Sequence, residues 1–348
     1  MYYRKVVFVI MLLFLKISAY SQVDLNSINH TGFNYFSIQD TCETSECDSI
    51  RFIVKKKDTK PKPVIIFIQG SGNGSLIILD QNQSYSIIES LIPAECFEKY
   101  DFVLVSKPGV PICESSESSR QLWNAKRGDY KLFVKNDYKD YYVNAIAQVI
   151  DFLKKQDFVD SQKIYLVGHS QGSAIAAKIA AKYPGKVSKL VFMSGCIFDR
   201  KYQEINSLRQ RADYRIITHR NAQSKIDSIY ENYRDLKKSI NYCVDTTNLD
   251  YYFYRDDYSF NFDPSLQYLL QFNQPTLVVY GSADQKSREL DLLPMFYTRA
   301  NKDNLTFKCY PNYDHNYFER EYDTKGNILS EKFNWIDVFK AVDDWLSD

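Results

Sequence analysis

Ile164-Tyr165-Leu166-Val167-Gly168-His169-Ser170-Gln171-Gly172-Ser173 decides how the rest of the chain is read. Four apolar residues make a buried-strand run, a G-x-S-x-G pentapeptide turns the chain sharply, and the small residues of 173–181 continue as a helix. A turn of this kind lifts Ser170 out on a strained backbone. Gly168 and Gly172 make room for it, because side chains two positions to either side would collide with neighbouring chain. A Gly-flanked helix cap is the plainer reading of Ser170, and the strand before it and the Ala-rich helix after it weigh against that reading.

Working outward, Val64-Ile65-Ile66-Phe67-Ile68 and residues 102–105 and 190–193 are apolar runs of the same character, as expected of strands buried on both faces of a parallel sheet. Residues 33–39 and 49–54 suit two strands around a polar turn, and 55–62 is a charged, Pro-containing bend. Val143, Ile146, Ala147, Ile150 and Leu153 follow helical spacing. Strands resume at 276–280 and 305–310, and a helix over 335–345 closes the chain. This alternation predicts an α/β fold with a mostly parallel, doubly wound sheet, whose active site lies beyond the carboxyl ends of its strands. No repeat or linker divides residues 22–348. Eighty positions separate Gly195 from Pro275, far more than one connecting helix needs. A helical cap over about 197–270, inserted after the sixth strand, accounts for the excess.

A serine hydroxyl is a weak nucleophile and needs a base, a carboxylate to orient that base, and donors for the oxyanion. The chain holds four histidines. His30 precedes the first strand, His169 sits inside the turn, and His219 falls in the polar middle region. His315, in a loop after the last strand, is the candidate base. Asp284 directly follows the 276–280 strand and is the preferred acid; Asp199, after the 190–193 strand, competes with it. Asp314, beside the histidine, is a poor orienter. For the oxyanion the N–H of Gln171 is one donor, and the N–H of Ser71, in the Gly-rich loop Gln69-Gly70-Ser71-Gly72-Asn73-Gly74-Ser75, is the other. A phosphate-binding reading of that loop lacks the lysine of a P-loop and the dinucleotide glycine spacing.

With these residues in view, 33–346 resembles a serine α/β-hydrolase, with Gly168 to Gly172 as its elbow and the order Ser, Asp, His as its triad. Ile68-Gln69-Gly70-Ser71-Gly72 and Ser106-Lys107-Pro108-Gly109-Val110-Pro111 are similar to segments of exported esterase-like and S33 peptidase-like hydrolases. The sequence departs at Gln69, where many relatives carry His, and at Ser173, where prolyl oligopeptidase-type enzymes carry a second Gly. Ser170 in place of Asp argues against haloalkane dehalogenases and epoxide hydrolases. The resemblance implies acyl transfer to water with no cofactor. A short acyl ester is the expected substrate, an aminoacyl or peptide amide the alternative, and an inactive binding protein on the same fold the reading from another class.

The 348-residue chain is 45% apolar and 25% charged, with a net charge of +1, which gives no basic surface for nucleic acid. Arg4 and Lys5, an apolar run over 6–15 and Ala19-Tyr20-Ser21 read as a secretory signal over 1–21, too short for a membrane anchor. Export to the periplasm or the medium, without stable membrane insertion, is therefore expected. Seven cysteines have no metal-ligand spacing, so no zinc site is expected; Cys42 and Cys47 are placed to join across a turn, or to remain thiols. In the cap, Tyr252 and Tyr254 lie in an aromatic cluster that either walls the substrate pocket or packs the cap onto the core. The cap lacks the broad apolar face of a long-chain lipase lid.

Overall fold

The computed structural model describes residues 25–43, 45–80, 83–119, 128–242, 249–323 and 328–348. The signal-peptide reading and Cys243 lie outside them. Twelve strands are described: β1 (Phe33–Gln39), β2 (Ser49–Lys55), β3 (Lys62–Ile68), β4 (Ile77–Leu79), β5 (Asp101–Val105), β6 (Cys113–Ser115), β7 (Val159–His169), β8 (Lys189–Met193), β9 (Thr276–Gly281), β10 (Leu305–Tyr310), β11 (Phe318–Tyr322) and β12 (Ile328–Phe333). Eight of them form one sheet in the order β1-β2-β5-β3-β7-β8-β9-β10. β1, β2 and β5 pair antiparallel, and every pairing from β5 to β10 is parallel.

β3 shows why its stretch Val64–Ile68 is apolar at every position. Val64, Ile66 and Ile68 enter one core, with the helices Lys139–Leu153 and Gln171–Lys182, while Ile65 and Phe67 enter the other, with Ile88, Ile92 and the helix Trp335–Ser347. Side chains alternate across a strand, so one covered on both faces has no position left for a polar residue. The sheet is doubly wound, with a helix layer on each face.

Between β8, the sixth strand of this sheet in chain order, and β9 the described residues make four helices: Arg200–Asp213, His219–Tyr242, Leu249–Asn261 and Ser265–Gln271. The first two share a small apolar cluster of their own, Leu208, Ala212, Ala222, Ile226 and Ile229. The last belongs to the main core through Leu269. Ion pairs fasten the excursion down: Lys178 reaches Asp263 at 2.7 Å and Asp140 at 2.6 Å, and the buried Lys139 also faces Asp263.

Three features differ from the sequence reading. β7 begins at Val159, ahead of the apolar run. A hairpin of β11 and β12 precedes the last helix. β4 and β6 form a separate parallel pair. Of the cysteine alternatives, the structure shows the thiol: Cys47 is not bonded to Cys42, and burial pushes its thiol up.

Candidate active site

Ser170 sits where β7 gives way to the helix Gln171–Lys182, at φ 56 and ψ −121. That positive φ costs an L-residue energy, and the surroundings must enforce it. They do so by contact. A Cβ on Gly172 would lie 2.0 Å from the Ile68 carbonyl oxygen, and one on Gly168 2.3 Å from that of Gly172. The Ser170 N–H donates to Met193 O at 2.9 Å, and Ser173 Oγ donates back to Ser170 O at 2.6 Å.

His315 lies beside this serine: its Nε2 is 3.0 Å from Ser170 Oγ and its Nδ1 is 2.8 Å from Asp284 Oδ2. The loops after β9 and β10 bring the two partners together, because these strands are parallel neighbours and their carboxyl ends coincide. Ala283 N–H bonds Tyr313 O at 3.0 Å, and Asn312 N–H bonds Ser282 Oγ at 2.9 Å. The Asp284 side chain is fully buried. Burial alone would raise its pKa, but hydrogen bonds from the His315 ring and from the Lys286 N–H hold it below the usual carboxylate value. Asp284 is therefore ionised and, being an acceptor only, takes the Nδ1–H of His315, which turns Nε2 toward the serine.

The competing carboxylates are engaged elsewhere. Asp199 caps the helix Arg200–Asp213, its Oδ1 accepting from Tyr202 N at 2.6 Å. Asp314 accepts two backbone N–H groups and pairs with Arg320. On the other side of Ser170, a Cβ on Gly70 would lie 3.3 Å from the Ser170 Cβ, so the Gly-rich loop abuts the hydroxyl. Among the described residues neither Ser71 N–H nor Gln171 N–H finds an acceptor, which leaves both free for an oxyanion. Tyr252 is buried with Val110, Phe133 and Val134, its hydroxyl on Glu46, and Tyr254 is half exposed. No group of three or more His, Cys, Asp or Glu side chains suited to a metal gathers among the described residues.

His169 has a part the sequence did not reveal. Its ring is buried, edge-on to Trp335 at 5.0 Å, and its Nε2 bonds the backbone oxygen of His315 at 2.9 Å. A carbonyl only accepts, so Nε2 carries the proton, and the bond holds the base loop against the elbow. Burial, with the His315 ring close by, lowers the His169 pKa from 6.5 to about 4. The native state thus binds fewer protons than the unfolded chain between these values. The stabilisation is fully present above 6.5 and is lost as pH falls toward 4, amounting to about 3 kcal/mol at roughly 1.4 kcal/mol per unit. Urea unfolding at pH 4.5, 5.5 and 6.5 should give a shallower pH slope for His169→Asn than for the wild type; parallel slopes would remove His169 as the source.

The sequence profile described as alpha/beta hydrolase fold matches residues 63–320. No curated protein matches the chain. Among solved structures, a Bacteroides ovatus protein described as a dipeptidyl aminopeptidase IV is similar at TM-score 0.53 and 12% identity, over 90% of this chain and 35% of its own. The Pyrococcus horikoshii acylaminoacyl peptidase is similar at TM-score 0.51 and 13% identity, over 97% and 43%. Est1E from Butyrivibrio proteoclasticus has TM-score 0.48 and 15% identity, over 89% and 97%. The chain spans less than half the length of either peptidase, and at such identities the likeness is one of fold. The profile, in contrast, runs from β3 through the elbow and both partner loops into β11, and the chain belongs to the alpha/beta hydrolase fold family.

Proposed function

We propose that this hydrolase cleaves a small acyl ester through an acyl-enzyme intermediate. The observation that carries the reading is His315 bridging Ser170 Oγ and Asp284 Oδ2. In the first half-reaction Ser170 Oγ attacks the ester carbonyl while His315 Nε2 takes its proton, and Asp284 stabilises the imidazolium. The N–H groups of Ser71 and Gln171 receive the oxyanion. His315 then protonates the departing alkoxide. A water, activated by the same nitrogen, releases the acid and restores Ser170.

For the substrate, the helices between β8 and β9 leave the sheet beside the loop that carries Asp284, which supports reading them as a roof over Ser170. Tyr252 and Tyr254 stand on the third of these helices; Tyr252 packs that helix down, and the half-exposed Tyr254 is the residue through which the roof would limit acyl length. The absence of a broad apolar face favours a soluble, short-acyl partner over an emulsified lipid. The charged start and apolar run of 1–21 support export, which fractionation of expressing cells would check.

A panel of p-nitrophenyl esters from acetyl to octanoyl, run beside aminoacyl arylamides and with a fluorophosphonate probe, tests the proposal. Turnover falling with acyl length and labelling of Ser170 are expected. Faster cleavage of arylamides would make the protein a peptidase, and no labelling at all would make it a binding protein. Ala at the half-exposed Tyr254 should change acetyl-to-octanoyl discrimination without moving Tm, and a uniform loss with lower Tm would assign that ring to packing; Ala at the buried Tyr252 should lower Tm, as expected of a packing residue.

A further inference from the structure

Lys107 follows β5 and is 4% exposed. Its Nζ donates to Gly70 O at 2.9 Å and to Gln171 Oε1 at 3.2 Å, and lies 5.4 Å from the centre of the Tyr142 ring. Among the described residues no carboxylate contacts it. Asp137 and Asp256 act only from a distance, and Arg200 opposes them, so burial prevails and draws the lysine pKa down. A buried ammonium without an ion-pair partner is costly, and an apolar residue of similar length would serve stability as well. The arrangement calls for a reason other than packing.

Its two acceptors supply that reason. The Gly70 carbonyl and the Ser71 N–H belong to one planar peptide and point in opposite directions. A cation on the oxygen fixes that plane and draws electron density from the N–H, making it a stronger donor. Gln171 carries the other free N–H, at the first residue of the helix Gln171–Lys182, and its side chain is held by the same ammonium. The buried amide nitrogen of Gln69, without a partner in the structure, faces the same small cavity between β3 and the helix Lys139–Leu153.

From this we infer that Lys107 is a positioning residue for the oxyanion site, clamping the Gly-rich loop to the start of the elbow helix so that the N–H groups of Ser71 and Gln171 converge. The inference rests on the serine-hydrolase reading above. Lys107 touches no reacting atom; its effect reaches the transition state through the Gly70 to Ser71 peptide and through Gln171.

The test compares Lys107→Met, Lys107→Arg and Ser170→Ala on p-nitrophenyl acetate, with inhibition by a simple alkylboronic acid as a tetrahedral mimic. Removal of a direct oxyanion donor lowers kcat by about 10² to 10³, and loss of its support should lower it by roughly 10 to 100-fold. For Lys107→Met we expect that loss in kcat, a KM within about twofold of wild type, and boronic acid binding weakened by the same factor as kcat. Lys107→Arg, which can still donate to both oxygens, should regain most of both. A lysine needed only for packing would leave the boronic acid's relative affinity unmoved. If Lys107→Met does not fold, Lys107→Gln should show the same split at about 3 to 10-fold, since a neutral donor remains. Wild-type kcat in Lys107→Met, or a loss confined to KM, overturns the inference while an inert Ser170→Ala leaves the hydrolase reading standing. Full turnover by Ser170→Ala removes that reading, and the inference with it.

Discussion

Ser170→Ala is expected to lower kcat on a p-nitrophenyl ester by at least about 10⁴, with His315→Ala as severe and the double variant hardly worse. The three results share one cause. Ser170 Oγ and His315 Nε2, 3.0 Å apart, share the proton that must move for attack to occur, and removing either partner removes the whole transfer. What survives is catalysis by the free N–H groups of Ser71 and Gln171, which do not depend on the hydroxyl. Single-turnover and steady-state rates on purified variants check this, with Tm recorded to exclude unfolding. Additive losses in the double variant would mean that the two residues act separately.

Asp284→Asn should lose on the order of 10⁴ in kcat while keeping the fold. An amide in this place can still accept the Lys286 N–H on Oδ1, so the turn survives. Its nitrogen, however, takes the position of Oδ2 and donates toward His315 Nδ1. The ring must then carry its proton on Nε2, where it can no longer accept one from Ser170. Asp199→Asn is the control, because Asn caps a helix as well as Asp, and kcat should not change. Should Asp199→Asn carry the loss instead, the acid belongs to the loop after β8.

Most of the sheet was legible because strand segments covered on both faces leave no polar position in the sequence, as residues 64–68 of β3 and 190–193 of β8 illustrate. The hairpin was not. In Phe318–Tyr322 and Ile328–Phe333 no residue is buried, so no apolar face marks the strands. The meeting of Ser170, Asp284 and His315 followed from chain order and from the rule that loops gather at the carboxyl ends of parallel strands. The parts of His169 and Lys107 did not, since each depends on which backbone oxygen another loop presents. Lys107 was visible only as one letter after a strand. A buried lysine and a surface lysine look alike until the loops pack.

The placement of the four-helix excursion between β8 and β9 bears on how the molecule assembles. Ser170 and His315 are 145 positions apart, and the strand that delivers Asp284 pairs with β8 across the whole intervening excursion. Closing so long a loop sacrifices chain entropy before any sheet contact repays it, which places β9 and β10 among the late-forming elements. The hydroxyl can reach its strained turn as soon as β3, β7 and β8 pair, but the imidazole arrives with the last strands. On the proposed mechanism, a chain whose C-terminal third has not joined the sheet should carry an inert serine, and hydrolytic competence should appear with the end of folding.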